Sequence, residues 1–218
     1  MNKCIIASSI ALAAGFASVS SAALVTATIT ADNHYALYSS TGASFSYHGG
    51  NELGPGGAPG SYNWSLPEPY SFEAGDFVYI AAWSDDSVAQ GVLANMMAGS
   101  MNLDSGSPSW QVTSVGVNMG DGSPHPDASE IATRVAFADT NSLWETPFVG
   151  GANGVSPWGS VPGIDGNAKW MWRANGGNDT TQGGANYGEY LIFRTTVPAP
   201  GSLALAGLGG LLIARRRR

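Results

Sequence analysis

The sequence predicts a single all-β sandwich lying between two terminal signals. Glycine is abundant, with 30 in 218 residues, and helix-forming runs of Lys, Glu, Ala and Leu are missing outside the ends. Val, Thr, Tyr, Trp and Phe recur instead in short stretches between turn-forming Gly, Pro, Asn, Asp and Ser. Without its ends the chain has about 175 residues, which is the size of one domain.

The first strands are predicted from a period of two. Residues 24–30 alternate polar and apolar side chains, and residues 35–38 continue as a second strand. Residues 49–60 are rich in glycine and proline, so they are predicted to form a surface loop. Pro67 and Pro69 indicate a connection or a sheet edge, because proline cannot donate to a strand ladder.

Residues 77–83 form the most β-like stretch of the chain. Phe77 and Tyr79 share one face and Val78 and Ile80 the other, so both faces are apolar. This strand is therefore predicted to be central. The next stretch, 87–97, fits either a helix with an Asp N-cap or a strand; its glycine and β-branched residues favour the strand.

The rest of the body is predicted to add strands at 109–118, 131–137, 168–174 and 187–196. A long irregular stretch, 139–167, separates the second of these from the third. The whole body is expected to contain roughly eight to ten strands.

The charge of the body excludes nucleic acid as a partner. Between the two ends, four Lys and Arg residues stand against all sixteen Asp and Glu residues, which leaves about −12 at neutral pH. Binding a phosphate backbone needs a basic surface, and none is expected here. The single cysteine, Cys4, lies in the N-terminal signal, so no disulfide is predicted for the body.

The N-terminus has the layout of a secretory signal peptide. Lys3 supplies the positive charge, residues 5–17 are apolar, and small residues precede a cleavage point between Ala22 and Ala23. The protein is therefore expected to be exported, with domain boundaries at 1–22, 23–196 and 197–218.

The C-terminus has three parts: a Pro-x-Pro step, the uncharged run 201–214, and a cluster of arginines. As a helix the uncharged run would span about 21 Å, against a bilayer hydrocarbon core of about 30 Å. This predicts a short membrane helix whose arginines stay on the cytoplasmic side.

This ending resembles the PEP-CTERM sorting signal of Gram-negative bacteria that make exopolysaccharide. Members of that family usually have glutamate where this chain has Ala199. The resemblance implies removal of the tail by an exosortase-like enzyme and delivery to the cell envelope or the extracellular matrix, with an ordinary tail anchor as the alternative. The sorting residues that it implies are Pro198, Ala199, Pro200, Arg215, Arg216, Arg217 and Arg218.

Two passages of the body, 29–38 and 168–194, are similar to strand motifs of galactose-binding-domain-like modules. The first contains Asp32-Asn33 and the second Trp170-Met171-Trp172, although these occur in the opposite order in that family. The resemblance implies a jelly-roll type of sandwich, which is a fold that hosts many functions.

No catalytic motif is present, and the protein is not expected to be an enzyme. The three histidines have no metal-site spacing, and there is no nucleophile elbow or phosphate loop. A glycoside-active enzyme remains an alternative because two carboxylates at suitable separation would suffice. The candidate acids are Glu52, Glu68, Asp85, Asp86 and Glu145.

Binding residues are predicted from residue type. Calcium is the ion that clustered Asp oxygens would suit, with Asp32, Asp85 and Asp86 as candidates, but turn formation is the favoured explanation of these residues and no cofactor is expected. Of the seven tryptophans, Trp83, Trp170 and Trp172 are predicted to lie in the core. Aromatic residues in or beside Gly/Pro-rich loops are predicted to be exposed and to contact an extracellular polysaccharide: Tyr62, Trp64, Trp144 and Trp158. The third function that the sequence leaves open is a purely structural role at the cell surface.

Overall fold

The computed structural model describes residues 22–51, 63–84, 88–117, 119–120, 122–176, 179–181 and 189–198. The N-terminal signal, most of the C-terminal tail and several predicted site residues lie outside them: Glu52, Tyr62, Asp85, Asp86, Ala199, Pro200 and Arg215 to Arg218. Among the described residues, no helix has both the length and the apolar character needed to cross a membrane.

The protein is a β-sandwich of two antiparallel sheets. The first sheet has the order β4-β1-β6-β10-β9, with β7 beside β6. Its strands are β1 (Ala23–Asp32), β4 (Glu68–Ala74), β6 (Gly91–Ala98), β7 (Met101–Asn102), β9 (Phe148–Ala152) and β10 (Lys169–Trp172).

The second sheet has the order β3-β2-β5-β11-β8. Its strands are β2 (His34–Thr41), β3 (Ser44–Gly50), β5 (Phe77–Trp83), β8 (Gln111–Val117) and β11 (Glu189–Thr196).

The inner faces of the two sheets form the main core. Val25 and Ile29 of β1 meet Leu37 and Ile80 of the second sheet, and all four are fully buried. Alternation places these side chains inside, because neighbouring residues of a strand point to opposite faces. Burial of this apolar surface, at about 25 cal/mol per Å², is the dominant stabilising term.

The stretch 128–140 is a helix and not the strand predicted at 131–137. Helix α1 (Ala128–Thr140) begins after Asp127, whose carboxylate accepts a 2.8 Å hydrogen bond from the Glu130 amide. Its buried residues, Ile131, Val135 and Ala138, have helical spacing, and Ile131 and Val135 pack on the outer face of the second sheet. The prediction was wrong because the N-cap and the three-to-four-residue period outweigh the β-branched residues.

The outer face of the first sheet is covered by loop 153–168. Trp158, Val161 and Ile164 are buried there against Leu93 of β6 and Trp170 of β10. The predicted irregular region 139–167 therefore holds both this loop and one strand that was not predicted, β9.

Several strand predictions are confirmed. β5 has the predicted bounds and lies between β2 and β11, with both faces buried from Val78 onward. β4, which contains Pro69, is an edge strand of the first sheet. Residues 91–98 form a strand, as favoured.

Both ends of the sandwich domain lie at the same end of the fold. Ala23 at the start of β1 pairs with Ala74, and Thr196 at the end of β11 pairs with Phe77. Only Gly75 and Asp76 separate these two partners, and the Val197 amide donates to the Asp76 carbonyl at 2.8 Å. We call this end of the sandwich the terminal end.

Candidate ligand-binding groove

An open groove of about 430 Å³ lies between α1 and the second sheet at the terminal end. One wall is the helix, through Ala132, Val135, Ala136 and Asp139. The opposite side is formed by the β2–β3 hairpin, the β4–β5 turn and the end of β11. The groove is therefore assembled from four separate parts of the chain.

Three aromatic rings form the apolar part of the groove. Phe77 and Tyr79 point outward from β5, and Phe45 of β3 joins them across the sheet. Ring centroids are 5.1 Å apart for Phe45 and Tyr79 and 5.8 Å for Phe77 and Tyr79. The alternation that buries Val78 and Ile80 in the main core also brings these two β5 rings to the groove.

The carboxylates of Asp76 and Asp139 and three hydroxyls, from Ser40, Tyr79 and Thr196, form the polar part. Asp76 accepts a 2.6 Å hydrogen bond from the Gly42 amide, which ties the β4–β5 turn to the β2–β3 turn. The Tyr79 hydroxyl lies 3.4 Å from the Ser40 hydroxyl. Burial raises the pKa of Tyr79 and outweighs the hydrogen bond with Ser40 and the charge of Arg194, which lower it, so its hydroxyl stays protonated at neutral pH.

Arg194 fixes Asp139 at the rim. Its guanidinium donates to the Asp139 carboxylate at 2.6 Å and lies 3.8 Å from the centre of the Trp144 ring. The Trp144 indole donates to the same Asp139 oxygen at 2.8 Å. Arg194 also lies over Phe77, at 5.0 Å from the ring centroid, and its side chain is only 13% exposed. The cation thus links α1 to β11.

The predicted glycan-contact residues that the structure describes do not lie together on one surface. Trp144 is half-buried beside the groove, as described above. Trp64 is half-buried against the Trp170 cluster on the other sheet. Trp158 was predicted to be exposed, and this is wrong: it is 5% exposed because its ring stacks on Trp170 at a centroid distance of 3.9 Å. Tyr62 lies outside the described residues.

The core predictions for tryptophan are confirmed. Trp83, Trp170 and Trp172 are all fully buried. Trp83 stacks on His34 and donates from its indole to the Gly120 carbonyl at 3.1 Å.

The one calcium candidate that the structure describes has a structural role. Asp32 accepts a 2.6 Å hydrogen bond from the Trp158 indole, which anchors loop 153–168 to the end of β1. Within the described ranges there is no group of three His, Cys, Asp or Glu residues that could hold a metal ion. The other two candidates, Asp85 and Asp86, lie outside these ranges.

The candidate catalytic acids that the structure describes belong to separate networks. Glu68 on β4 accepts from the Tyr35 hydroxyl at 2.7 Å, and Tyr35 also bonds to Tyr70. Glu145 pairs with Arg173 at 2.6 Å, and Arg173 pairs in turn with Glu189. Neither Glu68 nor Glu145 lines the groove.

The remaining site predictions lie at the terminal end. Ala22 is exposed, and Ala23 is buried as the first residue of β1. Pro198 is partly exposed, directly after the hydrogen bond between Val197 and Asp76.

Sequence reasoning missed the groove residues themselves. Asp139 was assigned to an irregular stretch, and the helix that carries it was not predicted. The signal that could have found it is Asp127 followed three residues later by Glu130, a capping pattern, with apolar residues at 131, 135 and 138.

Comparison with known proteins returned no match: no family model, no curated protein and no solved structure matches this chain.

Proposed function

We propose that this protein is an exported, non-catalytic binding module that holds a carbohydrate in the groove beside α1. The observation that carries the proposal is the combination of three aromatic rings with hydroxyl and carboxylate groups in one open cavity. Aromatic faces stack on the apolar faces of sugar rings, while carboxylates and hydroxyls bond to sugar hydroxyls. At about 430 Å³ the cavity falls in the usual range for small-ligand sites.

Export and sorting belong to the same proposal. Residues 1–22 would direct export as a signal peptide, and residues 197–218 would act as a sorting signal for an exosortase-like enzyme after a short membrane helix. The common position of Ala23 and Val197 at the terminal end supports this, because one end of the body would then face the membrane before release. The sandwich would be a jelly-roll module of the envelope or the extracellular matrix.

Glycoside hydrolysis is the second candidate, and the groove carboxylates are the observation in its favour. Two carboxylates flanking a sugar could act as acid and base. Asp139, however, already accepts hydrogen bonds from both Arg194 and Trp144 on one oxygen, which suits a fixed anchor better than a proton donor. A purely structural role would leave the groove without a ligand.

A glycan array probed with the purified full-length protein tests the proposal. Binding without release of reducing sugar from the bound glycans would support the module. Release of reducing sugar that is lost in Asp139→Asn would favour the hydrolase instead, and absence of both would leave the structural role.

Sorting has its own test, an intact-mass measurement of protein extracted from the cell surface. The expected mature form begins at Ala23 and lacks the residues after about Pro200. A form that retains Arg215 to Arg218 would contradict processing and leave a tail anchor.

A further inference from the structure

We propose that the groove is specific for a saccharide that carries a protonated amine, and that it discriminates against neutral and acidic sugars. This inference rests on the proposed carbohydrate-binding function and adds the chemical class of the ligand. The ligand would be an amino sugar whose nitrogen is not acetylated. Its ammonium group would lie between the groove carboxylates and the aromatic rings.

The charged lining of the groove is entirely acidic. Among the described residues that line it, Asp76 and Asp139 alone are charged. Arg194 is outside the lining and is already paired with Asp139. A ligand carboxylate or sulfate would meet these two acids, and no Lys or Arg is among the described lining residues to bind it, so acidic sugars are disfavoured.

Asp139 retains a free acceptor. Its hydrogen bonds to Arg194 and Trp144 both end on Oδ1, and Oδ2 has no hydrogen-bond partner among the described residues. The side chain is 51% exposed, so a ligand can reach it from the groove. An ammonium donates three hydrogen bonds and accepts none, which matches a carboxylate oxygen in this position.

The aromatic rings suit a cation as well as a sugar. Arg194 shows this chemistry within the same cluster, because its guanidinium lies over Phe77 and Trp144 while it bonds to Asp139. Phe45, which is half-buried, provides further ring surface in the groove itself, whereas Tyr79 is buried beside it. An ammonium near these rings would gain a cation–π attraction that a neutral acetamido group lacks.

The overall charge favours the same ligands. The body carries about −12, so its potential attracts cationic ligands and repels anionic ones at low salt. This long-range effect is not specific to the groove. The test must therefore separate the local carboxylates from the net charge.

The experiment is a calorimetric titration of the full-length protein with three oligosaccharides of equal length. These are a glucosamine oligomer, its fully N-acetylated counterpart and a uronic acid oligomer. We expect the glucosamine oligomer to bind about tenfold more tightly than the acetylated one, and the uronic acid oligomer not to bind. Asp139→Asn should remove most of this preference, and Asp76→Asn should reduce it.

Glu73→Gln is the matched control, because it also removes one negative charge but from an exposed position of β4, outside the groove. It should keep the preference. Circular dichroism of each variant separates lost binding from lost fold, and the two Asp variants provide independent tests.

Equal affinity for the acetylated and free-amine oligomers, or equal loss in Glu73→Gln and Asp139→Asn, would overturn the proposed specificity while leaving carbohydrate binding in place. Tighter binding of the uronic acid oligomer would also overturn it. Absence of binding to all three oligomers, together with a blank glycan array, would instead contradict the proposed function.

Discussion

The two sheets of the sandwich both have apolar outer faces, but they are covered in different ways. Loop 153–168, which we call the loop cover, packs on the outer face of the first sheet, where the ring of Trp158 stacks on that of Trp170 at 3.9 Å. The 13-residue helix α1, which we call the helix cover, packs on the outer face of the second sheet and leaves a groove of about 430 Å³ beside it.

The difference follows from the shape of each cover. A loop can follow a sheet surface and place one ring directly on another. A straight helix crosses a twisted sheet and contacts it closely only along part of its length. Ile131 and Val135 fill the contact, while Ala132 and Ala136 are too small to fill the space next to it. The first cover is thus a source of stability and the second also a candidate site.

Truncation of the ring stack should have the largest effect on stability. Trp170→Ala removes a fully buried side chain and the surface on which Trp158 packs. We expect a loss of about 3–5 kcal/mol in the free energy of unfolding, measured by urea denaturation. Trp158→Phe keeps an aromatic ring but loses the hydrogen bond to Asp32, so it should lower the free energy of unfolding by less. An equal loss in the two variants would mean that the ring stack is not the main stabilising contact of the loop cover.

Arg194 tests the attachment of the helix. Arg194→Met removes the bond to Asp139 and the contacts with Trp144 and Phe77. A loss of about 1–2 kcal/mol is expected, since Asp139 is half-exposed and the ion pair is partly screened by water. Ligand affinity should fall as well, because Asp139 loses its anchor. An affinity equal to that of the wild type would show that Arg194 serves the fold alone.

Tyr190 and Tyr38 provide a matched pair beneath the helix. The Tyr190 hydroxyl is buried and has no hydrogen-bond partner among the described residues, and burial raises the pKa of Tyr190. Tyr190→Phe should therefore stabilise the protein, by about 1 kcal/mol. Tyr38 donates to the Pro126 carbonyl, so Tyr38→Phe should destabilise it by a similar amount. Thermal unfolding should show opposite shifts, and shifts of the same sign would contradict this account of the second cover.

Acid should weaken the helix cover through Asp127, the N-cap of α1. Hydrogen bonds from the Ser129 hydroxyl and the Glu130 amide lower the pKa of Asp127. A lowered pKa contributes stability that is present above the unfolded value, about 4, and is lost as pH falls through the folded value. Asp127→Asn keeps a capping group that does not titrate, so its stability should fall less than that of the wild type below about pH 4. Parallel pH profiles would contradict this role of Asp127.

The sequence predicted the strands better than their covers. β5 was placed at the centre because both of its faces are apolar, and the proline-containing segment of β4 was assigned to a connection or a sheet edge. These are local properties of a strand. The covers depend on which distant residues meet, so the exposure of Trp158 could not be inferred from its Gly/Pro-rich surroundings.

The groove was beyond sequence reasoning for a related reason. Its residues come from the β2–β3 hairpin, the β4–β5 turn, α1 and β11, and no spacing along the chain relates them. Of the predicted glycan-contact residues that the structure describes, Trp144 alone lies beside the groove. The helix itself could have been predicted from the Asp127 cap.

The most direct test of the central claim is a calorimetric titration of two variants of α1. Ala136→Phe places a large side chain in the groove, whereas Thr133→Phe makes a comparable change at an exposed position of the same helix outside the lining. We expect Ala136→Phe to abolish binding of the best ligand from the glycan array and Thr133→Phe to bind like the wild type, with both folded. Wild-type affinity in a folded Ala136→Phe protein would show that the carbohydrate binds elsewhere.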